Sequence, residues 1–255
     1  IDGRIVVGTL LCILTYVITS GGIKGVASIF SKLVPFMSIA YILMGLLMII
    51  VNIQAVPAAI SAIFTNAFTG TAAIGGFAGA AVSKIVQTGM ARAVYSNEAG
   101  WGTSPMIHSS ADTPHPVEQG LWGSFEVFFD TFVVCSITAL SVILSGVWAD
   151  GLTGGALALS AFSKSFGSAG SILLAIIMII FTVTTSGGWF TYYLAILEHI
   201  NMKKSRFSEF LIKAFYAIRA LPGLLWTIYL VHAQNTGFIW TVVDITSAIP
   251  TFVNV

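Results

Sequence analysis

The amino-acid sequence predicts an all-α polytopic membrane protein, and three observations carry that prediction. The chain of 255 residues is 56% hydrophobic and only 8% charged, where soluble domains carry about 25% charged residues. Its mean hydropathy is +0.94, so too little polar surface exists to coat a water-soluble globule of this size. Apolar runs of roughly 20 residues, the length of a membrane-crossing helix, recur along it. Backbone groups in lipid must bond within their own segment, so each run reads as a helix. A formal net charge of +1 speaks against nucleic acid as a partner, and the lipid bilayer is the expected surroundings. Cys12 and Cys135 sit inside apolar runs and read as small buried residues rather than a disulfide or a metal pair. The chain opens without an initiator Met and stops inside an apolar run, so a fragment of a longer membrane protein is expected.

The elements follow in order. A first span covers 4–20. Residues 21–33, with Lys24 and Lys32, read as a polar turn, and a second span covers 34–52 with Pro35 at its start. The run 57–90 is awkward as one helix. Its middle, AFTGTAAIGGFAGAA, holds Gly70, Gly75, Gly76 and Gly79, and each interior glycine weakens a helix by about 1 kcal/mol relative to alanine. Two half-helices with an unwound centre near 71–77 are expected. Further spans cover 118–148, 169–199, 207–231 and 237–255, and 149–168 reads as a loop with a short surface helix. Seven spans put alternate loops on one side. Loops 21–33, 91–117 and 200–206 share a side and carry Lys24, Lys32, Arg92, Lys203, Lys204 and Arg206, which places them in the cytoplasm by the Lys/Arg bias.

The polar stretch VYSNEAGWGTSPMIHSSADTPHPVEQG (94–120) holds Glu98, His108, Asp112, His115 and Glu118. An intramembrane hydrolase or zinc site built on His108, Asp112 and His115 is the competing enzyme reading. Against it, no HExxH or CxxC spacing is present, Pro114 and Pro116 break any helix that would align the histidines, and Ser104 is not in a GxSxG elbow. Loop structure is the favoured reading. Ser96 or Asn97 can cap a helix start, with Asn97 and Glu98 accepting free N–H groups, and Gly100 and Gly102 allow tight turns.

Two interrupted spans carry more. Irregular backbone at membrane depth survives only where it is buried in protein or lines a cavity, and broken transporter helices point their half-helix ends at a midplane substrate. Close helix packing through small residues is the alternative for the glycine run. The run FTVTTSGGWFTYY (181–193) supplies hydroxyl oxygens from Thr182, Thr184, Thr185 and Ser186, suited to a weakly held Na⁺. Trp189 lies four residues after Thr185 on the same helix face. The alternative is that these hydroxyls bond back to helix carbonyls. Glu126, Asp130, Arg219 and Asp244 are charges inside spans. Structural pairing, Arg219 with Asp130 or Asp244, is preferred to a transport path. No GxxxxGK[ST] motif supports ATP-driven pumping.

SNEAGWGTSPMIH, followed by HPVEQGLWG, VFFDTFVVCSITAL and ILSG, closely resembles the alanine-or-glycine:cation symporter family, whose members read SNEAGLGSAP, HPVRQGL, FxDTxxxC and TAL. GGIKGVASIFSKLVPFM (21–37) resembles that family's preceding segment, and FTVTTSGGWFTYY its FAFTTxxGWxYYGE stretch. The resemblance implies a Na⁺-coupled secondary symporter that imports a small neutral amino acid, alanine or glycine, by alternating access. It implies a leucine-transporter-type inverted-repeat fold in a bacterial or archaeal plasma membrane. The chain would supply about core helices 4–10, with helices 1–3 of the same protein as its missing partners and a broken sixth helix at 57–90. By the same resemblance Gly75, Gly76, Phe77, Thr185 and Trp189 face the substrate, and Thr184 and Thr185 offer oxygens to Na⁺, the coupling ion; no organic cofactor is implied. Asn97, Glu98, Asp130, Arg219 and Asp244 remain structural or gating candidates. A proton-coupled or differently selective carrier of the same fold is the nearest alternative. The sequence departs from the family pattern at Trp101, Ser104, Leu194 and Glu198.

Overall fold

The computed structural model describes residues 2–69, 78–109, 111–201, 205–233 and 237–254. Every regular element among them is helical: α1 (Gly3–Thr19), α2 (Gly22–Val51), a 3-10 turn (Ile53–Ala55), α3 (Val56–Thr69), α4 (Ala78–Asn97), α5 (Thr103–His108), α6 (Pro116–Phe128), a π-helical segment (Phe129–Cys135), α7 (Ser136–Ser145), a second 3-10 turn (Val147–Ala149), α8 (Gly154–Ile200), α9 (Arg206–Ile218), α10 (Leu221–Ala233) and α11 (Gly237–Asn254). Among the described residues, α2, Pro116–Ser145 and α8 are long and apolar enough to cross a membrane. The pair α9 and α10, bent by 46° at the break between them, makes a fourth span if it crosses as one. Gly3–Thr19, Ile53–Thr65 and Gly237–Val253 are shorter apolar helices. Large apolar side chains such as Leu10, Val17, Phe36, Leu43 and Ile50 are exposed, as expected where the solvent is lipid.

The chain divides into two compact units. The first comprises Ile1–Ser38, Pro105–Ala111 and Ile176–Thr246; the second comprises Ile39–Ser104, Asp112–Ala175 and Ser247–Val255. In the first, Val26, Phe190 and Leu194 form a buried cluster, with Ile23, Phe30, Phe215 and Tyr216 packed against it. Ile23, Val26 and Phe30 recur at helical spacing, one apolar stripe. That stripe is why 21–33 is the first part of α2 and not the polar turn expected from Lys24 and Lys32: the lysines occupy other faces of the same helix. Gly187 of α8 lets Phe30 approach, since a Cβ there would lie 2.3 Å from its ring. Elsewhere in this unit α1 lies along α10, and a Cβ on Gly8 would come 2.9 Å from Thr227.

In the second unit, Met48 and Ser141 are fully buried. Gly45 receives Ile137 so closely that a Cβ would stand 2.0 Å from its Cγ2. Tyr41 and Thr138 share a hydrogen bond of 2.5 Å. Phe162, 1% exposed, packs on Tyr41 with ring centroids 6.3 Å apart. Residues 154–166 are thus a helix with a buried aromatic, not the loop with a surface helix expected over 149–168. Gly167, at φ 65° and ψ −158°, breaks that helix from the remainder of α8, close to the expected start at 169. The glycine-rich segment 71–77 lies outside the described residues, between α3 and α4.

Candidate functional site

Three polar places stand out inside the helices. The first is the hydroxyl run of α8. Thr182 donates to the Met178 carbonyl at 2.8 Å and Ser186 to that of Thr182 at 2.8 Å. Buried Thr184 donates to the carbonyls of Ile180 and Phe181 at 2.9 and 3.0 Å, with Met37 Sδ 3.6 Å away. Back-bonding therefore holds for these three side chains. A hydroxyl that donates its proton keeps lone pairs for another partner, so Thr184 retains the chemistry of a cation ligand. Thr185 is different. It is exposed, and among the described residues its hydroxyl has no hydrogen-bond partner. Trp189 stands one turn further on, edge-on to Tyr192 at 5.5 Å and tilted against Tyr193 at 5.7 Å. Gly75, Gly76 and Phe77 lie outside the described residues.

The second place ties the polar linker to the following span. α4 runs on to Asn97, so Ser96 and Asn97 close a helix; the expectation that they cap a helix start is corrected. Glu98 has φ 55°, the left-handed position that ends many helices, and its N–H donates to the Val94 carbonyl at 2.9 Å. Asn97 accepts from the Ala99 N–H at 2.9 Å and donates to Thr131 Oγ1 at 3.0 Å. Buried Thr103 donates to the Glu98 carboxylate at 2.6 Å, and Ser104 to that of Glu126 at 2.5 Å. Gly100 and Gly102, at φ 85° and 80°, make the tight turns. Thr131 and Asp130 belong to the π-helical segment, whose extra residue per turn frees backbone groups and often marks a functional position. His115 is an N-cap: its Nδ1 accepts from the Val117 N–H at 3.2 Å. Among the described residues no group of three or more His, Cys, Asp or Glu is arranged to hold a metal ion.

The third place surrounds Arg219, at the bend between α9 and α10. Its Nε donates to Thr19 Oγ1 at 2.6 Å, one Nη to the Tyr16 carbonyl at 3.1 Å and the other to the Tyr216 carbonyl. The guanidinium also lies over the Tyr16, Tyr216 and Phe190 rings, 4.6, 5.2 and 5.7 Å from their centroids. Among the described residues of its unit none of its partners is a carboxylate, which corrects the expected pairing with Asp244. The physical reason is that two helices end here. The last turns of α1 and α9 leave carbonyls without intrahelical donors, and a planar fork reaches several of them at once. Tyr16 completes the arrangement by donating to the Ala217 carbonyl. The bend had a visible signal in Pro222 and Gly223: proline has no N–H for the Ile218 carbonyl. The π segment had no such signal.

Comparison with known proteins decides what these places belong to. The model of the sodium:alanine symporter family matches residues 2–255. The chain belongs to that family. It is a family of amino-acid transporters with sodium symport, not of enzymes. The uncharacterized transporter YflA of Bacillus subtilis is 40% identical over 71% of this chain and 39% of its own length. The sodium/alanine symporter AgcS of Methanococcus maripaludis is 34% identical over 88% of this chain and 50% of its own length. The probable sodium/glutamine symporter GlnT of Bacillus subtilis is 31% identical over 98% of this chain and 50% of its own. The chain spans about half the length, or less, of the curated relatives it matches. As a member of this family it is part of an integral, multi-pass membrane transporter.

Proposed function

We propose that the whole protein is a secondary symporter that moves a small neutral amino acid, alanine or glycine, together with Na⁺ by alternating access. The observation that carries this reading is the family match along residues 2–255. The α8 face supports it. A hydroxyl at Thr185 with no partner among the described residues and a buried one at Thr184 are neutral oxygen ligands of the kind a weakly held hard cation takes. The indole of Trp189, one turn away, would limit the side chain admitted. Selection by a pocket wall is modest, about 1–3 kcal/mol per methylene, and the relatives include a probable sodium/glutamine symporter. The choice of alanine or glycine therefore rests on the bulk of Trp189.

The fold we assign is the leucine-transporter-type inverted repeat. On it α1 is the fourth core helix, α3 and α4 the two halves of a broken sixth helix around Gly75, Gly76 and Phe77, α8 the eighth, and α11 the tenth. Helices 1–3 of the same protein complete both sites. Residues 91–117 and 200–206 face the cytoplasm of the cell whose plasma membrane holds the protein.

The test is uptake of labelled alanine and glycine by the full-length protein in liposomes, with Na⁺ inside or outside. Uptake should require an inward Na⁺ gradient. Thr185→Val should raise the Na⁺ concentration for half-maximal uptake by about tenfold, the loss of one ion ligand, and leave the melting temperature unchanged because the hydroxyl bonds to none of the described residues. Uptake that persists when choline replaces Na⁺ would overturn the coupling. Wild-type uptake by Trp189→Ala would overturn the site.

A further inference from the structure

We propose that the cavity at the break between α9 and α10 binds a small monovalent anion, a halide or an acetate-sized carboxylate. The cavity measures about 170 Å³, and Leu11, Thr15, Ser186, Arg219, Gly223 and Leu224 are among the residues that line it. Every one of them belongs to the first compact unit. Neither Thr185 nor Trp189 is among its lining residues, and the site does not rest on the transport reading.

Charge is the first argument. Arg219 has five N–H donors and gives three of them to neutral oxygens, those of Thr19, Tyr16 and Tyr216. Hydroxyl and carbonyl groups hold the guanidinium without neutralising it. The C-terminal ends of α1 and α9 offset part of the charge, and the N-terminal end of α10 adds to it. That end reaches the cavity through Gly223, a first-turn residue whose amide N–H has no intrahelical acceptor. A half-buried guanidinium in a membrane protein calls for a counter-charge, and among the described residues no carboxylate hydrogen-bonds to it.

Thr15 is the second, independent argument. It is 6% exposed, it lines the cavity, and among the described residues its hydroxyl has no hydrogen-bond partner. The cavity it lines is the space in which this hydroxyl can find an acceptor. The hydroxyls of Thr182 and Ser186, also on the wall, spend their protons on helix carbonyls. The donors aimed at an occupant are therefore Arg219, Thr15 and the first turn of α10. That set repels Na⁺ and accepts an anion. Leu11 and Leu224 disfavour a second charge, which excludes sulfate and phosphate.

The experiment uses the purified full-length protein in detergent, in sulfate buffer at fixed Na⁺ and ionic strength. Bromide, chloride or acetate is titrated while the melting temperature is followed, and bromide-soaked crystals are examined for anomalous density. A saturable rise is expected, together with a bromide peak between Thr15 and the Arg219 fork. Thr15→Val should weaken half-saturation by about tenfold, the loss of one hydrogen bond to a charged group. It keeps the shape of the side chain and so the fold; Arg219→Gln should abolish the response. A flat titration of the wild type, an unchanged response in Thr15→Val, or bromide bound elsewhere only would each overturn the site. Alanine added in place of acetate separates a free anion from a substrate carboxylate: a response in Thr15→Val equal to that of the wild type assigns alanine to another site.

Discussion

Two of the helix interruptions that the structure describes differ in kind. Between α9 and α10 the axis turns by 46°, and the charged Arg219 side chain caps the Tyr216 carbonyl there together with the Tyr16 carbonyl at the end of α1. In Phe129–Cys135 the helix keeps its course and loosens into a π turn, and a neutral amide from another helix, Asn97, takes up Thr131. The difference is one of what must be satisfied. A bend exposes several carbonyls together at two helix ends, which suits a multidentate cation. A π turn displaces a single position, which one neutral hydrogen bond can fix. If that is right, the two sites should differ severalfold in what their loss costs.

The largest effect is expected at Arg219. Arg219→Leu leaves the Tyr16 and Tyr216 carbonyls and the fully buried Thr19 hydroxyl without their donor, at about 3 kcal/mol or more. Thermal unfolding of the full-length protein in detergent reads this as a lowered midpoint. Arg219→Lys keeps the charge and loses the fork, and should recover about half of the deficit. Full recovery would mean that charge alone matters and would remove the distinction between the two interruptions.

Next is the packing that holds the helices on either side. Gly45→Ala drives a Cβ into Ile137, a β-branched residue with little room to turn, and should cost about 1–3 kcal/mol. Gly187→Ala meets the tip of the Phe30 ring at 2.3 Å, which can yield more easily, so its cost should be smaller. Combining Gly45→Ala with Ile137→Ala should cost less than the sum of the two single changes, because the pair shares one space. Strict additivity would sink the contact.

How much of this could be read beforehand follows from the same physics. The all-helical membrane class was legible because it rests on summed hydrophobicity, which needs no tertiary knowledge. The interior start of α2 was not, because Lys24 and Lys32 drew attention from Ile23, Val26 and Phe30, whose partner Phe190 lies far along the chain. The same holds for 154–166, where Phe162 is buried by Tyr41. At the candidate site, the shared helix face of Thr185 and Trp189 was legible as spacing; that Thr185, unlike its hydroxyl neighbours, does not bond back to the helix was not, nor was the role of Arg219. Two of its three hydrogen-bond partners are backbone carbonyls, which every residue has, and the third is a Thr19 hydroxyl about 200 residues away in the sequence. Pro222 and Gly223 were the available signs of the bend.

The Asn97 to Thr131 bond tests the milder interruption. Asn97→Ala and Thr131→Val should each cost about 1 kcal/mol, with a coupling of about 0.5–1.5 kcal/mol in a double-mutant cycle. A coupling near zero would mean that this bond does not fix the π turn, and that the ties to the span are those of Ser104 to Glu126 and Ser96 to Cys135.

The smallest expected change is at Glu98, where two effects oppose. A non-glycine residue in the left-handed region costs about 1–2 kcal/mol, and Glu98→Gly removes that strain. The same change deletes the carboxylate that accepts from buried Thr103, whose hydroxyl then needs another acceptor, and adds the backbone entropy of glycine. The two sides are of similar size, so the melting temperature should move by no more than a degree or two. Glu98→Gln keeps an acceptor for Thr103 and the backbone strain, and should be slightly destabilising. If Glu98→Gly instead lowers stability as much as Arg219→Leu, the carboxylate is a principal anchor of the linker. The contrast between a charged clamp at the bend and neutral ties at the π turn would then be wrong. If both Glu98 variants fold normally while uptake falls, the carboxylate acts in the transport cycle rather than in the fold.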